Sequence, residues 1–99
     1  MADITLTNVE MDSTGGRYRN FYATLTGPAS YATGGDTGMK QVLGVSVVKQ
    51  VIASPLNVAS QDYDVIWDDT NEKVMWATEG AEAAGDLSTL SFAITVIGI

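Results

Sequence analysis

The sequence predicts an all-β fold: a small antiparallel β-sandwich or barrel of six to seven strands, with at most one short helical turn. Three observations carry that expectation. Residues 61–78, QDYDVIWDDTNEKVMWAT, alternate apolar and polar side chains on either side of a short polar run. Aromatic and β-branched segments recur every ten to fifteen residues or so, separated by Gly-rich turns. No strand pattern is followed by a full helix pattern, which disfavours a parallel α/β sheet.

Each element follows from local chemistry. Ile4-Thr5-Leu6-Thr7-Asn8-Val9 alternates two aliphatics with threonines and reads as a short strand. Asp12-Ser13-Thr14-Gly15-Gly16 is a turn in which the glycines supply positive φ at no steric cost. Arg17 to Thr26 is an aromatic, Thr-rich strand with Phe21, Ala23 and Leu25 on one face and Tyr22, Thr24 and Thr26 on the other. Both faces carry something that packs, as in a sandwich strand or one facing a neighbouring subunit. Gly27-Pro28-Ala29-Ser30 ends that strand, because Pro28 has no N–H to give to a ladder. Asp36 is read as the cap of one helical turn ending at Gly44, and Gly38 keeps that turn short. Val45 to Ala53 is strongly β-branched and reads as a central strand, and Ser54 to Ser60 is a connection.

The hairpin at residues 61–78 is the firmest local prediction. Tyr63, Val65 and Trp67 fall on one face of its first arm, and Val74 and Trp76 alternate along the second. Asp68-Asp69-Thr70-Asn71-Glu72 supplies the turn, since Asp and Asn bond their own backbone. A lone hairpin is marginal in water, so other strands must cover the Trp67/Trp76 face. Glu79 to Gly85 reads as a loop. Leu87 to Ile99 reads as a final strand, with Leu90, Phe92, Ile94 and Val96 in one row and Ile97 and Ile99 on the other side, hence covered on both faces.

Length and composition bound the function. Ninety-nine residues make one β domain, 1–99, in which residues 1–12 are expected to be able to extend as an N-terminal arm. No apolar run reaches the roughly 18 residues that span a membrane, and the N-terminus lacks the basic and apolar segments of a secretory signal. No membrane partner is expected. Cysteine is absent, so disulfides and thiolate metal sites are excluded. Small domains without such staples often gain stability by association. Twelve Asp and Glu against five Lys and Arg give a formal charge of −7, which repels phosphate backbones and argues against direct nucleic-acid binding. The acidity serves solubility or complements a basic partner surface.

Histidine is also absent, which removes the commonest general base and rules out a Ser-His-Asp triad. Carboxylate pairs suited to a glycosidase exist, Asp62 with Asp64 and Asp68 or Asp69 with Glu72, but nothing in the sequence raises one pKa above its partner's. No enzyme activity is expected. The cluster Asp62, Asp64, Asp68, Asp69 and Glu72 offers oxygen ligands for calcium, yet it lacks the spacing and glycine of an EF-hand loop and reads as a solvated hairpin tip. The glycines of Tyr31-Ala32-Thr33-Gly34-Gly35-Asp36 lack the Gly-Lys-Ser/Thr of a phosphate cradle. No catalytic, cofactor or metal residue is assigned. Tyr18, Tyr22 and Tyr31 with Trp67 and Trp76 would make a sugar-stacking platform if exposed, although both tryptophans are expected in the core. Arg17 and Arg19 share one face and read as a strand end or an anchor for a partner carboxylate.

From Tyr31 onward the order of features is specific. Tyr31-Ala32-Thr33-Gly34-Gly35-Asp36 precedes a one-turn helix ending at Leu43-Gly44 and a β-branched strand. The hairpin follows, with Tyr63-Asp64 in its first arm and Thr70-Asn71-Glu72-Lys73-Val74 at its turn. Gly85-Asp86-Leu87-Ser88 then leads to a strand ending near Gly98. This order resembles small virion proteins of tailed bacteriophages, of the head decoration (capsid cement) type. The resemblance covers about two thirds of the chain and rests on turn signatures rather than catalytic residues. It implies a β-rich homo-oligomer on the virion that binds the major capsid protein from outside the capsid and stabilises the shell. A trimer suits a capsid threefold position. Such a role needs strand edges and apolar patches. The expected self-association surface is Phe92, Ile94, Val96, Ile97 and Ile99. The expected capsid-facing segment is the arm Ala2 to Asn8, including Ile4 and Leu6, with Arg17 and Arg19 nearby. A tail or baseplate protein and a carbohydrate-binding β module are the alternatives.

Overall fold

The computed structural model describes residues 4–12, 17–31 and 34–99. Ala2 of the expected arm, the Gly15-Gly16 turn and Ala32-Thr33 lie outside the described residues. The elements are β1 (Thr5–Asp12), β2 (Arg19–Thr26), α1 (Met39–Leu43), β3 (Val48–Pro55), a one-turn 3-10 helix (Ala59–Asp62), β4 (Tyr63–Asp68), β5 (Lys73–Thr78), β6 (Ala81–Glu82) and β7 (Ser91–Gly98). They form two antiparallel sheets, β1-β2-β7-β3 and β4-β5-β6. The fold is all-β, as the alternation predicts.

In the larger sheet, Phe21 pairs with Val96, Ala23 with Ile94 and Leu25 with Phe92. Directly opposed residues share a face, so these six make one apolar layer, and every one of them is buried. In the smaller sheet Val65 opposes Trp76 and Trp67 opposes Val74, the row the sequence predicts. Trp76 is fully buried and meets Phe92 edge-on, ring centroids 5.7 Å apart at 66°. That contact joins the sheets into one core, with Leu43 and Met39 of α1 beneath.

Several expectations are corrected. The β-branched segment at 45–53 is not a central strand: β3 starts at Val48, runs through Pro55 and forms an edge of its sheet. β-Branching reports fit to a pleated surface rather than the number of neighbours. Pro55, unable to donate, sits where an edge tolerates it. The middle of the sheet is β7, hydrogen-bonded to β2 on one side and β3 on the other. The strand expected at residues 4–9 is present as β1 and runs on to Asp12, so residues 5–12 pair along β2 rather than extending as an arm, with an irregularity between Thr7 and Glu10 at Asn8, whose φ is 53°. Gln61 and Asp62 belong to the 3-10 helix, not to the hairpin, so Asp62 and Asp64 do not share a strand face. Within the expected loop 79–85, Glu79 and Gly80 both have positive φ, the requirement of a type I′ turn, and they return the chain as β6.

Two connections are fixed by single small residues. Ser60 is fully buried where the chain crosses between sheets. Its hydroxyl donates to Asn57 Oδ1 at 2.6 Å and accepts from the Ser91 N–H at 2.8 Å, tying the crossing to the start of β7. At Gly27 a Cβ would stand 1.9 Å from the Leu87 carbonyl oxygen, so no larger residue fits where the chain leaves β2.

Candidate functional site

Tyr31, Gly34 and Asp36, from one of the segments that carry the resemblance, lie on a seam. β5 has β4 on one side, but on the other β6 covers only Ala77 and Thr78. The rest of that edge is completed piecemeal. Ala83 N–H donates to the Trp76 carbonyl, and Asp36 exchanges both backbone hydrogen bonds with Val74 at 2.8 Å. Between them the Tyr31 hydroxyl accepts from the Trp76 N–H at 3.4 Å and donates to Glu82 Oε2 at 2.5 Å. Glu82 Oε2 also accepts from the Gly34 N–H at 2.8 Å. Burial, and then the hydrogen bond to Glu82, pushes the Tyr31 phenol up to about 12. The Tyr31 hydroxyl, and then the Gly34 N–H, hold the Glu82 carboxyl below its ordinary value.

Asp36 is not a helix cap. Gly38 holds the cap position in the left-handed region, with no side-chain bond to the helix. Asp36 is itself buried, and its Oδ2 accepts the Trp76 indole N–H at 3.2 Å. A buried polar side chain requires a partner, and here two residues 40 positions apart satisfy each other.

The expected interface residues separate into two groups. Ile4, Phe92, Ile94 and Val96 are buried within this chain and present no surface to a second one. Their row faces the core because alternation puts it opposite Trp76 and Val74, and a period of two does not reveal which row faces in. Leu6, Ile97 and Ile99 are half-buried, and Ile99 exchanges backbone hydrogen bonds with Val47. Arg19 donates to the Gly44 carbonyl at 3.4 Å with its guanidinium 5.6 Å from the Phe21 ring centre, while Arg17 lies before β2 over the Tyr18 ring. The sugar platform does not assemble, since Tyr31 and Trp76 are buried. Among the described residues no three His, Cys, Asp or Glu side chains gather as metal ligands. Among them, too, no helix is long and apolar enough to cross a membrane.

Two outward faces remain. On the larger sheet, alternation and register put Asn20, Tyr22 and Thr24 of β2, Ala93, Thr95 and Ile97 of β7, and Gln50, Ile52 and Ser54 of β3 on one side. Tyr22, Thr95 and Ile52 form a row across three strands, with Tyr22 42% and Ile52 50% exposed. The central rows of that face carry no charged side chain, and charge lies at its margins: Lys49 is exposed at the irregularity between Val48 and Gln50, and Glu10 and Asp12 of β1 oppose Tyr22 and Asn20. Beyond it β1 is the outer strand of the sheet, and most of its side chains are exposed.

The outward face of the smaller sheet differs. Asp64 opposes Ala77, Ile66 opposes Met75, and Ala77 opposes Glu82. Because Ala77 and Ala81 are small, a hollow of about 510 Å³ opens between the longer side chains. Ile66 and Met75 wall it, and Asp64, Asp69 and Glu82 line it. This site carries no sequence signature, because its defining feature is small residues that acquire a shape only after pairing. Comparison with known proteins finds no matching family model, no matching curated protein and no matching solved structure.

Proposed function

We propose that this chain is a non-enzymatic virion structural protein, a decoration (cement) protein that binds the outside of a phage capsid and stabilises it. The observation that carries this reading is the outer face of the β2-β7-β3 surface, whose central rows hold Tyr22, Ile52, Thr95 and Ile97 and leave charge to the margins at Lys49, Glu10 and Asp12. Copies carrying seven net negative charges repel one another, so contact between them is cheapest where charge is absent. Sheet faces of this kind pack face to face. Three strands of eight residues cover about 370 Å² at ordinary strand spacing and rise. A stable interface needs about 800 Å² per partner, so this face requires a second contact. The β1 edge supplies one by strand addition to the major capsid protein. Many copies on one shell make weak contacts effective together, and a trimer fits a threefold position. The order of features from Tyr31 onward, which resembles decoration proteins, narrows a general binding role to the virion.

Co-sedimentation with expanded capsids and sedimentation velocity of the free protein test this reading. Binding to capsids with self-association in solution is expected. A protein that stays monomeric and never pellets with capsids overturns it. Label found on the tail by electron microscopy overturns it in favour of a tail or baseplate component.

A further inference from the structure

We infer that the hollow on the outer face of the β4-β5-β6 sheet is a receptor for one basic side chain, lysine or arginine, of a partner protein. Its volume of about 510 Å³ exceeds what one side chain needs and leaves room for the partner's backbone to cross above it. Ile66, 48% exposed, and Met75 line an apolar wall long enough for an aliphatic stem, which lysine and arginine bury readily while their heads reach charge. Asp64 and Glu82 flank Ala77 on neighbouring strands, about 10 Å apart at ordinary strand spacing. Not all carboxylates here are available. Glu82 already accepts from Tyr31 and Gly34, and the tip residue Asp68 accepts twice from Asn71. Lys73 lies close enough to Asp68 and Glu82 to lower both carboxyls. The carboxylates of Asp64 and Asp69 have no hydrogen bond or ion pair among the described residues, so both remain at the hollow to receive a cation. An anionic occupant is repelled by the same set. A neutral apolar occupant leaves these carboxylates unused.

The inference rests on the binding reading for the occupant's being part of a protein, but the hollow can be tested without any capsid. The purified chain is titrated with n-pentylammonium and N-acetyl-arginine methylamide, with n-pentanol as the uncharged control, while the methyl resonances of Ile66 and Met75 are followed at constant ionic strength. Saturable shifts are expected from both cations with a dissociation constant on the order of millimolar, as suits so small a probe, and at least tenfold weaker binding by the alcohol. Asp64→Asn with Asp69→Asn should weaken the cations about tenfold and leave the melting temperature unchanged. Ala81→Leu, which fills the hollow from an exposed position, should abolish the shifts. Equal binding of alcohol and ammonium, or no saturable shift, overturns the inference. If the cations bind while the chain never pellets with capsids, the receptor stands and the virion reading falls. If capsids are bound but the cations are not, the reverse holds.

Discussion

The two sheets are finished in different ways. In the β1-β2-β7-β3 sheet backbone ladders do the joining: the register from Arg19 paired with Gly98 to Thr26 paired with Ser91 runs unbroken, and the two outer ladders are each interrupted once. The β4-β5-β6 sheet has a full ladder on one side of β5 only, and on the other it relies on Asp36, Tyr31, Ala83 and Glu82. Their outward faces diverge too, one with charge only at its margins, the other acidic and hollowed. A sheet held by its backbone leaves its outer side chains free to vary for association. A sheet sewn by side chains couples its surface to its core, since Glu82 lines the hollow and also anchors Tyr31 behind Trp76.

Substitutions sharpen that contrast. Trp76→Ala removes the ring that bridges the sheets and the indole N–H that Asp36 accepts, and should cost about 3–5 kcal/mol by chemical denaturation. A loss below 1 kcal/mol would show that the smaller sheet does not depend on its side-chain seam. Ser60→Ala leaves the part-buried Ser91 N–H without its acceptor at the crossing between the sheets. About 1–3 kcal/mol is expected, read as a lower midpoint with an unchanged denaturant slope.

Tyr31→Phe removes one hydroxyl from the seam and should cost about 1 kcal/mol near neutral pH. Its signature lies in the pH dependence. Folding holds the phenol protonated up to about 12 against an ordinary 10.0. That contribution is complete below pH 10 and is lost as pH rises from 10 towards 12. Denaturation midpoints of wild type and Tyr31→Phe should therefore converge across that window. Glu82 acts with the opposite sign. Its folded value lies below the ordinary 4.5, so its contribution is present above pH 4.5 and fades as acid is added below it. Ile52→Asp, on the flat outer face, should change stability by less than about 0.5 kcal/mol yet shift sedimentation velocity towards monomer. Unchanged association would move the self-contact away from that face.

Much of the frame was legible in the sequence. The hairpin register followed from a period of two, and the burial of Trp76 followed from the need to cover its row. Three features were not legible, each for a physical reason. β3, read as central, is an edge and β7 takes the middle, because the choice depends on partners distant in sequence. Asp36 carried a cap's composition, but its carboxylate found an indole rather than a helix N–H. The hollow depends on Ala77 and Ala81 being small beside Asp64, Ile66 and Met75, and no spacing rule flags small residues. The Glu79-Gly80 dipeptide was the one missed signal, since both residues adopt the positive φ from which β6 follows.

The place of β7 in its sheet carries a kinetic consequence. β7 is the last of the seven strands along the chain, yet it is the partner through which β2 and β3 become one sheet. Pairing Arg19 with Gly98 closes nearly the whole described chain into one loop, and such closure is entropically slow. The β4-β5 hairpin, with a four-residue loop, can form in microseconds, while the larger sheet waits for milliseconds to seconds. During that interval Phe21, Leu25 and Val51 have no neighbour between them, so the vulnerable moment in this molecule's life falls before its centre arrives.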